Sequence, residues 1–203
     1  MRFLIVSMAA FSFLLGAGLF QPTLTLIAAE GNQEGALKEA RRVADELGDK
    51  MRGLLFQELQ KGGPVGAVRV CSEVAQEITQ EFNRRSGHNA RRVSLRYRNP
   101  QNRPDEYEQG VLARMETENR RKQLGNEYAG VVKDREGNVL RYLRPLVVAP
   151  VCTTCHGTRE AMAPEVQKLL AEKYPQDLAV GFQEGDLRGA ISVKILLSPK
   201  KAE

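Results

Sequence analysis

Glu136-Gly137-Asn138-Val139-Leu140-Arg141-Tyr142-Leu143-Arg144-Pro145-Leu146-Val147-Val148 is the stretch on which the fold turns. Its first three residues form turns, and the apolar-rich run behind them returns as the hairpin partner of an earlier strand, Glu127 to Lys133. Toward the N-terminus, Pro104-Asp105-Glu106 opens a helix that reaches about Lys122. Before it, Arg92-Val93-Ser94-Leu95-Arg96-Tyr97 alternates as a half-buried strand does, and Asn99-Pro100 stops it. Toward the C-terminus, Pro164 to Lys173 is a short helix and Gly189 to Ile195 a final strand. Two helical patterns precede all of these. Gly63-Pro64 starts one that ends at Ser86-Gly87, and its apolar face, Ala67, Val68, Cys71, Val74, Ala75, Ile78 and Phe82, turns Cys71 inward. Before it, Leu37, Ala40, Ala44, Leu47, Met51 and Leu54 recur at steps of three and four, a seam that suits a homodimer or the chain's own domain. Helices first and a small antiparallel sheet afterwards predict an α+β domain.

The hairpin strand leads into Cys152-Thr153-Thr154-Cys155-His156. Thiols separated by two residues reach the two vinyl groups of one haem as thioethers, and the next imidazole meets the iron from the same side. The spacing therefore reads as attachment of one covalent haem c. A thioredoxin-like redox pair would open a helix after a buried strand, and here Pro145 and Pro150 stand just ahead of the motif. A zinc site would need further ligands, and Cys71 and His88 are the cysteine and histidine left to supply them.

Haem attachment of this type calls for export, and the first residues supply a signal-like segment. Arg2 is the one charge before Glu30, and Phe3 to Phe20 is apolar except for Ser7 and Ser12. The stretch lies near the border between a secretory leader and a membrane span of about 17–25 apolar residues. The expected divisions are 1–29 as signal peptide or N-terminal membrane anchor, 30–62 as an amphipathic helix and 63–198 as the haem domain. A periplasmic or otherwise extracytoplasmic location follows. Without the leader the net charge falls from +5 to +4, because the 30 basic residues lose Arg2 and all 25 acidic ones remain. That mild balance speaks against a nucleic-acid partner.

If His156 holds one face of the iron, the candidates for the other are Cys71, His88, Met51, Met115 and Met162. Histidine or methionine suits electron transfer, whereas a thiolate lowers the potential and alters gas binding. Between Phe82 and Pro104 there are seven arginines and no acidic residue. Guanidiniums there suit the two haem propionates, or equally a solvated basic face toward anionic lipid.

Val70-Cys71-Ser72-Glu73-Val74-Ala75, the run from Arg92 to Asp105, Cys152-Thr153-Thr154-Cys155-His156-Gly157, the run from Tyr174 to Gly181 and the run from Gly185 to Val193 occur in an order that resembles the domain of unknown function 3365 family. The resemblance spans about Val65 to Ile195 and implies a c-type haem domain with a PAS-like antiparallel sheet and long N-terminal helices, of a kind first described in a cyanobacterial protein. It implies iron ligation by His156 and, from the long helix, Cys71. Arg96 and Arg98 fall inside a matching motif and are the better propionate candidates. Thr153-Thr154 is more polar than the Leu-containing spacers of the family. The expected function is a redox or gas-responsive sensory domain with a separate signalling partner, and the alternative is a low-potential monohaem electron carrier. Catalysis is not expected.

Overall fold

β3 (Gly137–Val147) pairs antiparallel with β2 (Tyr128–Lys133) and with β4 (Leu187–Pro199). β1 (Asn89–Val93) joins the far edge of β4, giving a four-stranded antiparallel sheet of order β1-β4-β3-β2. The computed structural model describes residues 23–199, so the apolar stretch Phe3 to Phe20 lies outside the described residues. Among these, no helix is long and apolar enough to cross a membrane.

Side chains alternate across the strands, and each face has its own helix. Ala90, Leu140, Tyr142, Ile191 and Val193 pack against Ala40, Val43, Ala44 and Leu47 of α1 (Thr23–Glu73). Val93, Leu143 and Ala190 pack on the opposite face against Leu112 and Met115 of α3 (Glu106–Arg120). The expected seam from Leu37 to Met51 thus faces the chain's own sheet. The chain has the α+β architecture that the order of elements predicts.

α1 runs through both expected helices and breaks sharply at Gly63, whose φ of 61° and ψ of −162° suit glycine. After a short irregularity at Val74, α2 (Ala75–Ser86) completes the helical region. A capping box starts α3: the Glu108 amide donates to Asp105 Oδ1 at 2.9 Å, and the Asp105 amide donates to Glu108 Oε2 at 2.8 Å. Arg141, buried on β3, reaches the same two carboxylates at 2.7 and 3.4 Å and ties α3 to the sheet.

The strand predicted over Arg92–Tyr97 lies earlier, at Asn89–Val93. Asn83 fixes its start, because its side chain donates to the Ala90 carbonyl at 2.8 Å and accepts from the Ala90 amide at 2.9 Å. Beyond Val93 the Ser94 amide turns away to the Asn102 carbonyl at 3.2 Å, and pairing with β4 stops. Residues 95–98 then leave the sheet for the site described below.

Glu39 on α1 bonds Arg42 at 2.6 Å and His88, next to β1, at 2.7 Å. The Arg42 hydrogen bond, aided by His88 and opposed by desolvation, lowers its pKa from 4.5 to about 2. A carboxylate with a depressed folded-state pKa stabilises the fold above its unfolded pKa and loses that contribution as pH falls through the folded value. Thermal melts between about pH 5 and about pH 2.5 should therefore fall less steeply for Glu39→Gln than for the parent. Equal slopes would remove Glu39 from the acid response.

Candidate functional site

The CxxCH motif occupies one turn of helix. A 3₁₀ turn over Pro150–Cys152 passes into α4 (Thr153–His156), so Cys152, Cys155 and His156 stand at i, i+3 and i+4 and share a side. Val147 and Leu187 mark a register shift where β3 leaves the sheet, and the chain turns there toward the motif.

The shared side opens into a cavity of about 370 Å³, lined mostly by apolar side chains. That volume lies in the range of roughly 300–1,000 Å³ typical of cofactor sites. Both arms of α1 contribute walls, from Met51 to Leu59 before the Gly63 break and from Ala67 to Cys71 after it. Cys152, Cys155 and His156 lie on the wall contributed by α4 and its entry turn. Phe56 and Val147 on its wall are each about half exposed, at 49% and 47%.

Several bonds hold His156. Its Nδ1 lies 2.8 Å from the Ala179 carbonyl, an arrangement that makes Nδ1 the donor and leaves the Nε2 lone pair available. Its own carbonyl accepts from the Phe182 amide at 2.8 Å, and the Phe182 ring meets the imidazole edge-on at 6.2 Å. Burial first, then nearby Arg188 and Arg98, push its pKa well below the usual histidine range, so the ring is neutral and able to bind a metal.

Arg98 and Asp177 form the frame behind the motif. Arg98 Nε donates to Asp177 Oδ2 at 2.9 Å in an ion pair whose side chains are 10% and 1% exposed. Arg98 Nη2 also donates to the carbonyls of Cys155, at 2.5 Å, and Ala179, at 3.1 Å. The other Asp177 oxygen accepts from the Ala179 amide at 2.8 Å. One carboxylate thus fixes the peptide that orients His156.

The residues singled out in the sequence separate on this geometry. Cys71 lies on the cavity wall with Cys152, Cys155 and His156. It is exposed toward the cavity rather than packed inside the core, which departs from the inward placement that helical spacing predicts. The surrounding walls still desolvate its sulfur and push the thiol pKa up, against the pull of Arg92, Arg98 and Arg188. Burial also raises the Cys155 thiol. Met51 lines the cavity as well. Met115 is buried on the opposite face of the sheet, and Met162 is packed among Val68, Val166 and Leu170. His88 bonds Glu39 and is not part of the cavity wall.

The arginines also divide. Arg96 lies over the Phe182 ring at 3.9 Å, bonds the carbonyls of Leu178 and Val180, and does not line the cavity. Arg98 lines it with its Nε and Nη2 engaged in the frame. Arg92 and Arg188 line it too and were not selected from the sequence. Their signal is strand geometry. Arg92 is two residues from Ala90, so it shares the α1 side of the sheet, and Arg188 enters the neighbouring strand. Burial lowers the pKa of both, Arg188 to about 10.

A family model described as Tll0287-like matches residues 27–195. The chain belongs to the Tll0287-like family. The match takes in every motif quoted from Val70 to Val193 and the part of α1 packed on the sheet. Among solved structures, the chain is similar to the crystal structure of the cyanobacterial haem protein Tll0287. The TM-score is 0.62 at 26% sequence identity, covering 82% of this chain and 98% of that one. No curated protein matches the chain.

Proposed function

We propose that this member of the Tll0287-like family is an extracytoplasmic protein carrying one haem c, attached through Cys152 and Cys155, with His156 and Cys71 as axial ligands and a redox or gas-responsive sensory role. One observation carries the reading: both motif thiols, an imidazole with Nε2 unengaged and a third thiol from the long helix line the same apolar cavity. The solved relative is described as a haem protein, which supports the choice of cofactor. The residues fit the group in their chemistry, since thiols, an imidazole, apolar walls and cationic side chains line one cavity. When bound, haem supplies a one-electron couple and, where an axial bond opens, a place for a diatomic gas.

The chain's own residues account for the rest. Asp177 and Arg98 hold the Ala179 carbonyl, which in turn fixes the tautomer and direction of His156. Cys71 stands on the arm of α1 that follows Gly63, so a change at its sulfur acts on a helix with a break nearby. His88 is engaged with Glu39 away from the cavity, which favours a role without acid–base catalysis. A low-potential electron carrier is the second reading, favoured by the two half-exposed apolar residues on the cavity wall, Phe56 and Val147.

In protein matured in cells competent for c-type cytochromes, Cys155→Ala should impair covalent attachment, seen as haem lost to acidified organic solvent. Cys71→Ala should keep the haem attached and replace a compressed low-spin ferric EPR signal by a high-spin or histidine/methionine-type one. An unchanged EPR spectrum in Cys71→Ala would remove the thiolate assignment. Faster gas binding in that variant supports the sensory role, whereas a raised potential with unaltered gas binding supports the carrier.

A further inference from the structure

Among the described residues, the charged side chains that line the cavity are all cationic. They are Arg52, Arg92, Arg98 and Arg188, and no described aspartate or glutamate joins them. Two of the four have carboxylate partners: Arg52 bonds Asp49 at the surface, and Arg98 bonds buried Asp177. The other two do not. The Arg92 guanidinium has neither a hydrogen bond nor a carboxylate partner among the described residues. Arg188 Nη1 donates to the neutral acceptors Ser94 Oγ, at 3.0 Å, and Arg96 O, at 3.2 Å. Its Nε is buried without a partner.

Two cations on an apolar wall with no carboxylate at ion-pair distance among the described residues are unfavourable, and Asp177 offsets this for Arg188 only through space, so a ligand that brings negative charge relieves the cost. The sheet brings them near one another on the cavity wall. Arg92 lies opposite Ile191 in the β1–β4 register, Ile191 itself lines the cavity, and Arg188 is three residues before it on β4. Guanidinium forks match carboxylates bidentately, so this edge is built to receive acidic groups. Arg96 and Arg98, the candidates that the sequence favours, are already committed to protein carbonyls and, for Arg98, to Asp177.

We propose that Arg92 and Arg188 form the anionic subsite of the cavity and anchor the two propionates of its haem. The assignment rests on the haem reading above and replaces Arg96 and Arg98 in this role. It makes the two arginines determinants of selectivity for an acidic macrocycle.

The test uses the full chain with Cys152→Ala and Cys155→Ala, in which porphyrin binding is reversible. It is titrated with ferric protoporphyrin IX and with the dimethyl ester of the same compound, followed by Soret absorbance. The diacid should bind the parent roughly tenfold or more tighter than the ester. Arg92→Gln with Arg188→Gln should bring the two affinities to within about twofold, while Arg96→Gln leaves the preference intact. Arg92→Lys with Arg188→Lys keeps the charge and should retain part of the preference, which separates lost recognition from lost folding. Equal affinity of the parent for both compounds, or a full preference surviving in the glutamine double variant, overturns the subsite. Failure of the parent to bind either porphyrin overturns the haem reading instead, and the subsite with it.

Discussion

Asp177→Ala should lower folding stability by about 3–5 kcal/mol, because it leaves Arg98 as a buried charge without its partner. The Asp177 side chain is 1% exposed and that of Arg98 10%, so water does little to replace the lost carboxylate. The loss also removes the acceptor for the Ala179 amide at 2.8 Å, and Ala179 carries the carbonyl that faces His156 Nδ1. Urea unfolding measures the first effect. The orientation of His156 is reported separately by the ferric spectrum of the matured protein, which should broaden or shift. Asp177→Asn keeps an acceptor for the Ala179 amide and should cost less. A loss below about 1 kcal/mol for the alanine variant would show that Arg98 finds another counter-charge or water there.

Gly189→Ala should cost on the order of 3–4 kcal/mol, combining backbone strain with overpacking. Gly189 has φ of 152°, in the region open to glycine, and it faces β1 at the point where pairing ends. A Cβ at this position would fall on the Val93 carbonyl oxygen and come within 3.0 Å of Ser94 Cβ. The oxygen belongs to a strand held by β4 along one edge, so relief requires the strands to part. Parting them also moves Arg188, the residue next to Gly189. Chemical denaturation of Gly189→Ala and Gly189→Ser should give losses of similar size. A substitution tolerated within about 0.5 kcal/mol would mean that the strand end is free to shift.

Much of the architecture is legible in the sequence because the elements carry local signals. Pro164 at the first helical position fixes the start of α5 (Pro164–Lys173), which has the predicted bounds. The turn at Glu136-Gly137-Asn138 places β3 to within two residues at its start and one at its end. Arg92–Tyr97 misleads because Val93, Leu95 and Tyr97 alternate as a strand does, while the end of β1 is set by a hydrogen bond from Ser94 to Asn102, eight residues on, and by the register with β4. In the site, CxxCH is a contiguous motif and reads directly. Which arginines face the cavity depends on strand pairing between residues nearly a whole domain apart, and no local pattern contains that. Of the arginines between Phe82 and Pro104, Arg92 and Arg98 reach the cavity wall, while the partners of each guanidinium determine what it can hold.

The sheet order sets when the molecule can close. β2 and β3 are neighbours in sequence and can form their hairpin as soon as both have emerged, but β1 pairs with no strand except β4. Arg92 meets Ile191, so the sheet lacks its first strand until nearly the whole described chain is available. The cavity has walls from α1, β1, β3, α4 and β4, and it is therefore among the last parts of the molecule to form. Up to that moment Cys152 and Cys155 stand in an open chain, and afterwards the same thiols line a closed-in cavity. Non-local strand pairing thus leaves the motif open until the sheet is complete.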